Sequence, residues 1–251
     1  MATGASERKP QIRRRRSIEI LPPSMSELRL ILLGDSWSEK SRIANSILGA
    51  PAFNTEEQPD FSMSVYEMIW KKKLVLINTP DLLHPRIPEA ELKEHVELCV
   101  SLSDPGPHLF LLVVQPEGFT NEQEKRFCKV LELFSDQAFG HSVVLISKSK
   151  QKETLNEPLQ ELIRRCKYNS LIFKDNEILE MLKILGDFVE INNEKHLIVD
   201  HPSIKPMKDA SSAAERGLRI LLFGATQSKR TQLCNFIIEK KMSRLTTFYQ
   251  A

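Results

Sequence analysis

Short apolar runs alternate with amphipathic segments along most of the chain. Runs without polar alternation predict strands buried on both faces, at residues 28–33, 108–114 and 142–146. Further strands are predicted at 65–70 and 73–78, around a Lys-rich turn, and at 171–173. Apolar positions at helical spacing predict helices at 41–48, 89–103, 120–134, 155–166 and 178–189. This alternation predicts a three-layer α/β fold, in which a mainly parallel sheet lies between helices.

Composition narrows the class of protein without naming a function. The chain has 251 residues, 41% hydrophobic and 27% charged, which is typical of a globular protein and excludes collagen-like and fully disordered classes. We see neither an apolar run of membrane-spanning length nor a secretory leader, and we expect no membrane anchor in this chain. The net charge of +2, without basic clusters interleaved with aromatic residues, gives no support for nucleic-acid binding.

Cysteine and histidine spacing argues against a transition-metal site. The cysteines lie far apart and predict reduced thiols in a cytoplasmic protein: Cys99, Cys128, Cys166 and Cys234. The 6 histidines show no metal-ligand spacing. His108 stands at the start of a predicted strand, where a structural role is expected.

An internal repeat indicates the domain organisation. Residues 28–48 align without a gap on residues 218–238, and Gly34, Ser38 and Asn45 coincide with Gly224, Ser228 and Asn235. The alignment predicts tandem copies of one domain. The predicted boundaries are a flexible basic tail at 1–27, a first domain at 28–193, a linker at 194–217 and a truncated second copy at 218–251. Arginines 13–16 before Ser17 fit a solvated tail, a nuclear signal, an anionic-lipid contact or a kinase target.

The first predicted strand leads into a degenerate phosphate-binding loop. The pattern G-x-x-x-x-G-K-[ST] is matched at Gly34, Lys40 and Ser41, between the predicted strand and helix. In such a loop the backbone N–H groups and the lysine bind phosphates, and the Ser/Thr hydroxyl binds Mg²⁺. Glu39 replaces the second glycine, where a positive φ would be strained and a carboxylate would repel phosphates.

A longer stretch carries a family resemblance. Residues 105–147 (PGPHLFLLVVQPEGFTNEQEKRFCKVLELFSDQAFGHSVVLIS) closely resemble the signature of the immunity-associated GTPases, the GIMAP or AIG-type G domains. Residues 45–49 (NSILG) and 162–173 match the same family, and the resemblance covers about residues 28–190 in the family's order. It implies a P-loop G domain that binds GTP or GDP with Mg²⁺. In relatives, the nucleotide faces of G domains can meet, which implies homo- or hetero-oligomers with other G domains of the family.

The resemblance also implies individual site residues. Lys40 matches the phosphate lysine, Ser41 matches the Mg²⁺ hydroxyl, and Ser62 or Ser64 falls near the switch threonine. The implied nucleotide-binding residues are Gly34, Asp35, Ser36, Trp37, Ser38, Glu39, Lys40, Ser41, Arg42, Thr55, Lys148 and Lys150. No catalytic residue is implied.

Several positions depart from the family pattern. The family's D-T-P-G becomes 78–81, NTPD, so Asn78 lacks the carboxylate that supports Mg²⁺ and Asp81 adds a like charge near the γ-phosphate. Lys150 replaces the aspartate that accepts the N–H donors of guanine. Losing that charge-assisted bond, which contributes roughly 1.5–3 kcal/mol, would weaken guanine binding about 10–100-fold. The later F-N-N element becomes 173–175, FKD.

Two functional hypotheses follow from these departures. The first is a GTP-binding-type protein that binds guanine nucleotide weakly, with little or no hydrolysis. The second is a pseudo-GTPase scaffold that acts by protein–protein assembly without nucleotide. The first predicts GTP or GDP binding that depends on Lys40. The second predicts no nucleotide binding, and partner binding that Lys40→Ala does not affect.

Overall fold

A six-stranded sheet forms the centre of the computed structural model, which describes residues 21–22, 24–69, 71–147 and 155–199. Its strands are β1 (Glu27–Leu33), β2 (Met63–Ile69), β3 (Lys72–Asn78), β4 (Leu109–Val114), β5 (Ser142–Ile146) and β6 (Ser170–Ile172). They are ordered β2-β3-β1-β4-β5-β6, with β2 antiparallel to β3 and every other pair parallel. The predicted, mainly parallel sheet is therefore confirmed.

Helices cover both faces of the sheet. They are α1 (Trp37–Leu48), α2 (Glu89–Leu102), α3 (Asn121–Phe134), α4 (Glu157–Arg165) and α5 (Ile178–Ile191), with a 3-10 helix at Asp136–His141. Successive side chains of β1 point to opposite faces. Ile31 and Leu33 pack with α2, α3 and α4, whereas Leu30 and Leu32 pack with α1 and α5. Burial on both faces explains why β1 and β4 are apolar without alternation.

The predicted helices agree with the structure except at their ends. α3 begins after the predicted capping box, in which Thr120 and Gln123 bind each other's backbone N–H groups. α1 begins at Trp37, before the predicted start at residue 41, because the Ser36 hydroxyl caps it. No helix within the described ranges is long and apolar enough to cross a membrane.

The chain beyond α5 lies along the amino end of the sheet. Leu197 is buried in the core, and its N–H donates to Pro107 O at 2.8 Å. Gly106 allows this approach, since a Cβ there would stand 2.1 Å from Leu197 O. The first residues of the predicted linker thus contact the domain. The other predictions for 1–20, 148–154 and 200–251, including the repeat, lie outside the described residues.

Candidate functional site: the phosphate-binding loop

The loop between β1 and α1 lies at the carboxyl end of the central strand, where α/β sheets bind ligands. Gly34 is required there, because a Cβ would lie 2.7 Å from Val113 O. The Ser36 hydroxyl accepts the Glu39 N–H at 3.2 Å and so satisfies one of the free donors at the helix N-terminus. The remaining N–H groups of this first turn are the kind that bind anions.

Glu39 is accommodated within the first turn of α1. It is not among the described residues with positive φ, so the strain expected from replacing the second glycine does not arise. Its carboxylate receives two hydrogen bonds from Arg42, at 2.7 and 3.1 Å. Arg42 also donates to Asp175 at 2.8 Å. The repulsion that Glu39 would exert on a phosphate is thereby reduced by a neighbouring cation.

Lys40 is a buried cation at the base of the loop. Its side chain is fully buried, and its ammonium donates to the Gly34 carbonyl. Burial lowers the pKa of Lys40 to about 8, against the raising effect of the Asp81 and Asp35 charges. An ammonium has three donors. One protein carbonyl therefore leaves capacity to bind an anion.

The hydroxyl implied for Mg²⁺ takes part in a side-chain hydrogen bond. Asn78 Nδ2 donates to Ser41 Oγ at 2.9 Å, and both residues are fully buried. Asn78 Oδ1 is buried and has no hydrogen-bond partner among the described residues. Mg²⁺ requires oxygen ligands, usually with a carboxylate. Asn78 supplies no carboxylate, and its amide N–H takes one of the two lone pairs of the Ser41 hydroxyl, so these residues fit a tightly held Mg²⁺ poorly.

Two carboxylates lie at the rim of the loop. Asp35 accepts a hydrogen bond from Gln123 Nε2 at 2.7 Å, and Asp81 accepts the Leu83 N–H at 3.0 Å. Burial raises the pKa of Asp81, which Lys40 partly opposes. Asp81 contributes negative charge where the resemblance implies a γ-phosphate, and Asp35 adds a second carboxylate in the loop.

Of the other residues that the resemblance implies, some are buried in the domain and some are exposed or half-buried. Trp37 is buried, donates from its indole to Asn54 O at 2.7 Å and meets Phe53 edge-on. It therefore packs inside the domain. Ser38 is exposed and Thr55 half-buried. Lys148 and Lys150 lie outside the described residues.

The two candidate residues near the switch threonine, Ser62 and Ser64, lie in different environments. Ser62 Oγ lies 3.2 Å from Cys99 Sγ in the core under α2, whereas Ser64 is exposed on β2. Sequence reasoning missed the contact of Gln123 with Asp35. Its capping-box position was the available signal, since it places a polar side chain at the start of α3, close to the loop.

The sheet order, the strand–loop–helix unit and its buried lysine define a P-loop protein of the G-domain class. The model of the AIG1 family matches residues 28–195, and the chain belongs to that family.

The family relationship is supported by similar proteins. "GTPase IMAP family member 8" of Homo sapiens is 31% identical over 182 residues, which cover 64% of this chain and 27% of that protein. "Immune-associated nucleotide-binding protein 10" of Arabidopsis thaliana is 23% identical, covering 54% and 30%. The chain thus spans about a quarter to a third of the length of these relatives.

Solved structures support the fold. Toc33 from Arabidopsis thaliana, in complex with GDP and Mg²⁺, has a TM-score of 0.57 at 14% identity, covering 70% of this chain and 89% of that one. A Toc33 complex with Mg²⁺ and GMPPNP has a TM-score of 0.53 at 13% identity, covering 70% and 89%.

Proposed function

We propose that this chain is a GTP-binding-type domain that binds guanine nucleotide weakly through its phosphates and hydrolyses it little or not at all. The observation that carries the proposal is the contrast between Lys40 and Ser41. Lys40 keeps a buried ammonium beside the loop, whereas Ser41 is hydrogen-bonded to the Asn78 amide. The chain thus keeps the lysine that would bind phosphate but lacks the carboxylate that would support Mg²⁺.

Weak phosphate binding is supported by the balance of charges around the loop. Lys40 and the N-terminus of α1 favour an anion. The carboxylates of Asp35 and Asp81 oppose it. The Glu39 carboxylate is engaged by Arg42 and opposes it less. The relatives' names and the Toc33 complexes support a guanine nucleotide as the ligand.

Poor hydrolysis is supported by the metal position. Phosphoryl transfer in P-loop proteins relies on Mg²⁺ to neutralise the charge that develops on the phosphates. A bound Mg²⁺ would share the Ser41 hydroxyl with the Asn78 amide, and Asn78 adds no carboxylate to support it. The chain's own residues can therefore bind and orient phosphates without an efficient cleavage step.

The second candidate is a scaffold without nucleotide, acting by assembly with other G domains. It is favoured because the negative charges of Asp81 and Asp35 already act on the Lys40 ammonium, so that Lys40 depends less on a bound anion. Residence in the cytoplasm is proposed for either candidate, and it is supported by the free, buried thiols of Cys99, Cys128 and Cys166.

Nucleotide-dependent melting of the full chain tests the proposal. Millimolar GTP or GDP should raise the melting midpoint by about 2–4 °C, as expected for ligand at several times its Kd, with or without Mg²⁺. Lys40→Ala should abolish the shift, whereas Lys183→Ala, on the exposed side of α5, should retain it. No shift with any nucleotide favours the scaffold, and rapid Mg²⁺-dependent phosphate release contradicts both candidates.

A gain-of-function variant tests the metal argument separately. Asn78→Asp supplies a carboxylate that can accept the Ser41 O–H, which frees a hydroxyl lone pair for Mg²⁺. We expect the nucleotide-induced shift to become Mg²⁺-dependent in this variant alone. The same Mg²⁺ dependence in the unaltered chain would show that the Asn78–Ser41 bond does not block the metal.

A further inference from the structure

β2 is an outer strand of the sheet with unusually open side chains. Tyr66 is 65% exposed and Met68 is 53% exposed, and no residue of the strand is fully buried. Within the described ranges, no strand pairs with its outer side. An exposed edge strand of seven residues that bears apolar side chains is a template for pairing with another strand.

The hydrogen-bonding groups that β2 directs away from β3 can be assigned. The Met68 N–H donates to its neighbour's carboxylate, Glu67 Oε1, at 2.9 Å and so does not point to β3. In an antiparallel pair, alternate residues direct their N–H and C=O groups towards the partner strand. Ser64, Tyr66 and Met68 therefore direct theirs outward.

The flanks of β2 carry opposite charges. Exposed carboxylates precede the strand at Glu56, Glu57 and Asp60. The exposed Lys71 follows it, at the tip of the turn to β3. When two such strands run antiparallel, each acidic flank meets the basic flank of the other. This polarity is self-complementary, and it favours a second copy of the chain over an unrelated strand.

We propose that β2 pairs with β2 of a second copy of this chain, joining the two sheets across a twofold axis at Tyr66. In this register Tyr66 faces its counterpart and Ser64 faces Met68. The outward N–H and C=O groups of all three residues are paired, and the Met68 N–H exchanges Glu67 Oε1 for the other strand. Lys71 approaches Asp60 of the other copy. The contact is isologous, so both copies use the same surface and the assembly closes as a dimer.

The proposed interface does not involve the phosphate-binding loop. β3 separates β2 from β1, whose carboxyl end carries the loop. The dimer therefore forms without nucleotide and persists in Lys40→Ala. A dimer that needed nucleotide and Lys40 would be a contact of nucleotide faces, and it would overturn the proposal.

Sedimentation of the full chain over a concentration series tests the surface. The unaltered chain should dimerise, and Tyr66→Glu should raise the dimer Kd at least about tenfold, because it places like charges opposite each other on the axis. Ile172→Glu is the matched control: Ile172 is also 65% exposed, but it lies on β6 at the opposite end of the sheet. A chain that stays monomeric, or a dimer unaffected by Tyr66→Glu, overturns the proposal.

Cross-linking tests the register. In a Cys234→Ser background, Tyr66→Cys should form an oxidised dimer, because the two introduced thiols lie opposite each other. Met68→Cys should not, because its opposite residue is Ser64. Equal cross-linking of the two variants would show that the twofold axis is elsewhere.

Charge reversal tests whether the oppositely charged flanks of β2 meet between two copies of the chain. Lys71→Glu should weaken dimerisation, and adding Asp60→Lys in the same chain should restore it. If the double variant dimerises no more tightly than the single one, the flanks do not meet and the proposed pairing is wrong.

Discussion

Two buried cations lie near opposite ends of β1, and their surroundings differ. Arg29, near the amino end, donates to Gly106 O at 2.6 Å and pairs with Glu27 at 3.2 Å. Its backbone N–H donates to His108 Nδ1 at 3.0 Å. Lys40, beyond the carboxyl end, has one hydrogen bond to a described residue, the Gly34 carbonyl.

The difference separates a structural cation from a binding one. Burying a charge is costly unless it is paired and hydrogen-bonded. Arg29 obtains its partners from its own domain and needs no ligand. Lys40 is only partly compensated, and burial lowers its pKa to about 8. An anion bound at Lys40 would supply the negative charge and the hydrogen-bond acceptors that the domain provides only in part.

The largest expected effect is therefore on Arg29. Arg29→Met leaves the Gly106 carbonyl without its donor and the Glu27 carboxylate with Lys73 as its remaining ion-pair partner, at 3.1 Å, so it should lower the free energy of unfolding by about 3 kcal/mol. Urea denaturation followed by circular dichroism measures this. The control is Arg86→Met, at an exposed position, which should change it by less than about 0.5 kcal/mol. A similar loss of unfolding free energy in both variants would mean that the contacts of Arg29 with Glu27 and Gly106 do not stabilise the fold.

A pH effect should follow from His108, the neighbour of Arg29. Burial, and then the charges of Arg29, His196 and His141, lower the pKa of His108 to about 3 from 6.5. Glu27 and Asp104 lie near Arg29, and the pKa of His196 is itself lowered by burial. Below pH 6.5 the unfolded chain takes up a proton at His108 that the folded chain does not. This contribution to stability is thus complete above pH 6.5 and is lost as the pH falls towards 3.

His108→Asn isolates that contribution. The asparagine Oδ1 can replace Nδ1 as acceptor for the Arg29 N–H, but it does not titrate. Between pH 6.5 and about 3, the variant should lose stability less steeply than the unaltered chain. The difference can reach about 1.4 kcal/mol per pH unit, the value for one proton. Parallel stability–pH curves from urea titrations would contradict this role of His108.

The sequence predicted the fold better than the site, for a physical reason. The strands β1, β4 and β5 are apolar along their whole length because helices cover both faces, and that pattern is visible without a structure. Helix ends depend on single side chains. The Ser36 cap extends α1 towards the loop by four residues beyond the predicted start at 41.

The site depends on contacts between distant residues, which spacing does not reveal. Sequence comparison marked Asn78 as a lost carboxylate, but only the structure shows its amide bound to Ser41, 37 residues away. The pairing of Arg42 with Glu39 and Asp175 also changes the expected effect of Glu39. Arg29 and His108 are 79 residues apart and became a pair only through the alignment of β1 with β4.

The smallest expected effect on stability is at Lys40. Lys40→Met keeps a long apolar side chain and removes an ammonium that burial destabilises, so the free energy of unfolding should change by less than about 1 kcal/mol. The same variant should lose the melting shift with GTP or GDP. Urea denaturation and nucleotide-dependent melting of one preparation measure both. A loss as large as that of Arg29→Met would mean that Lys40 is structural too, and the two ends of β1 would no longer differ.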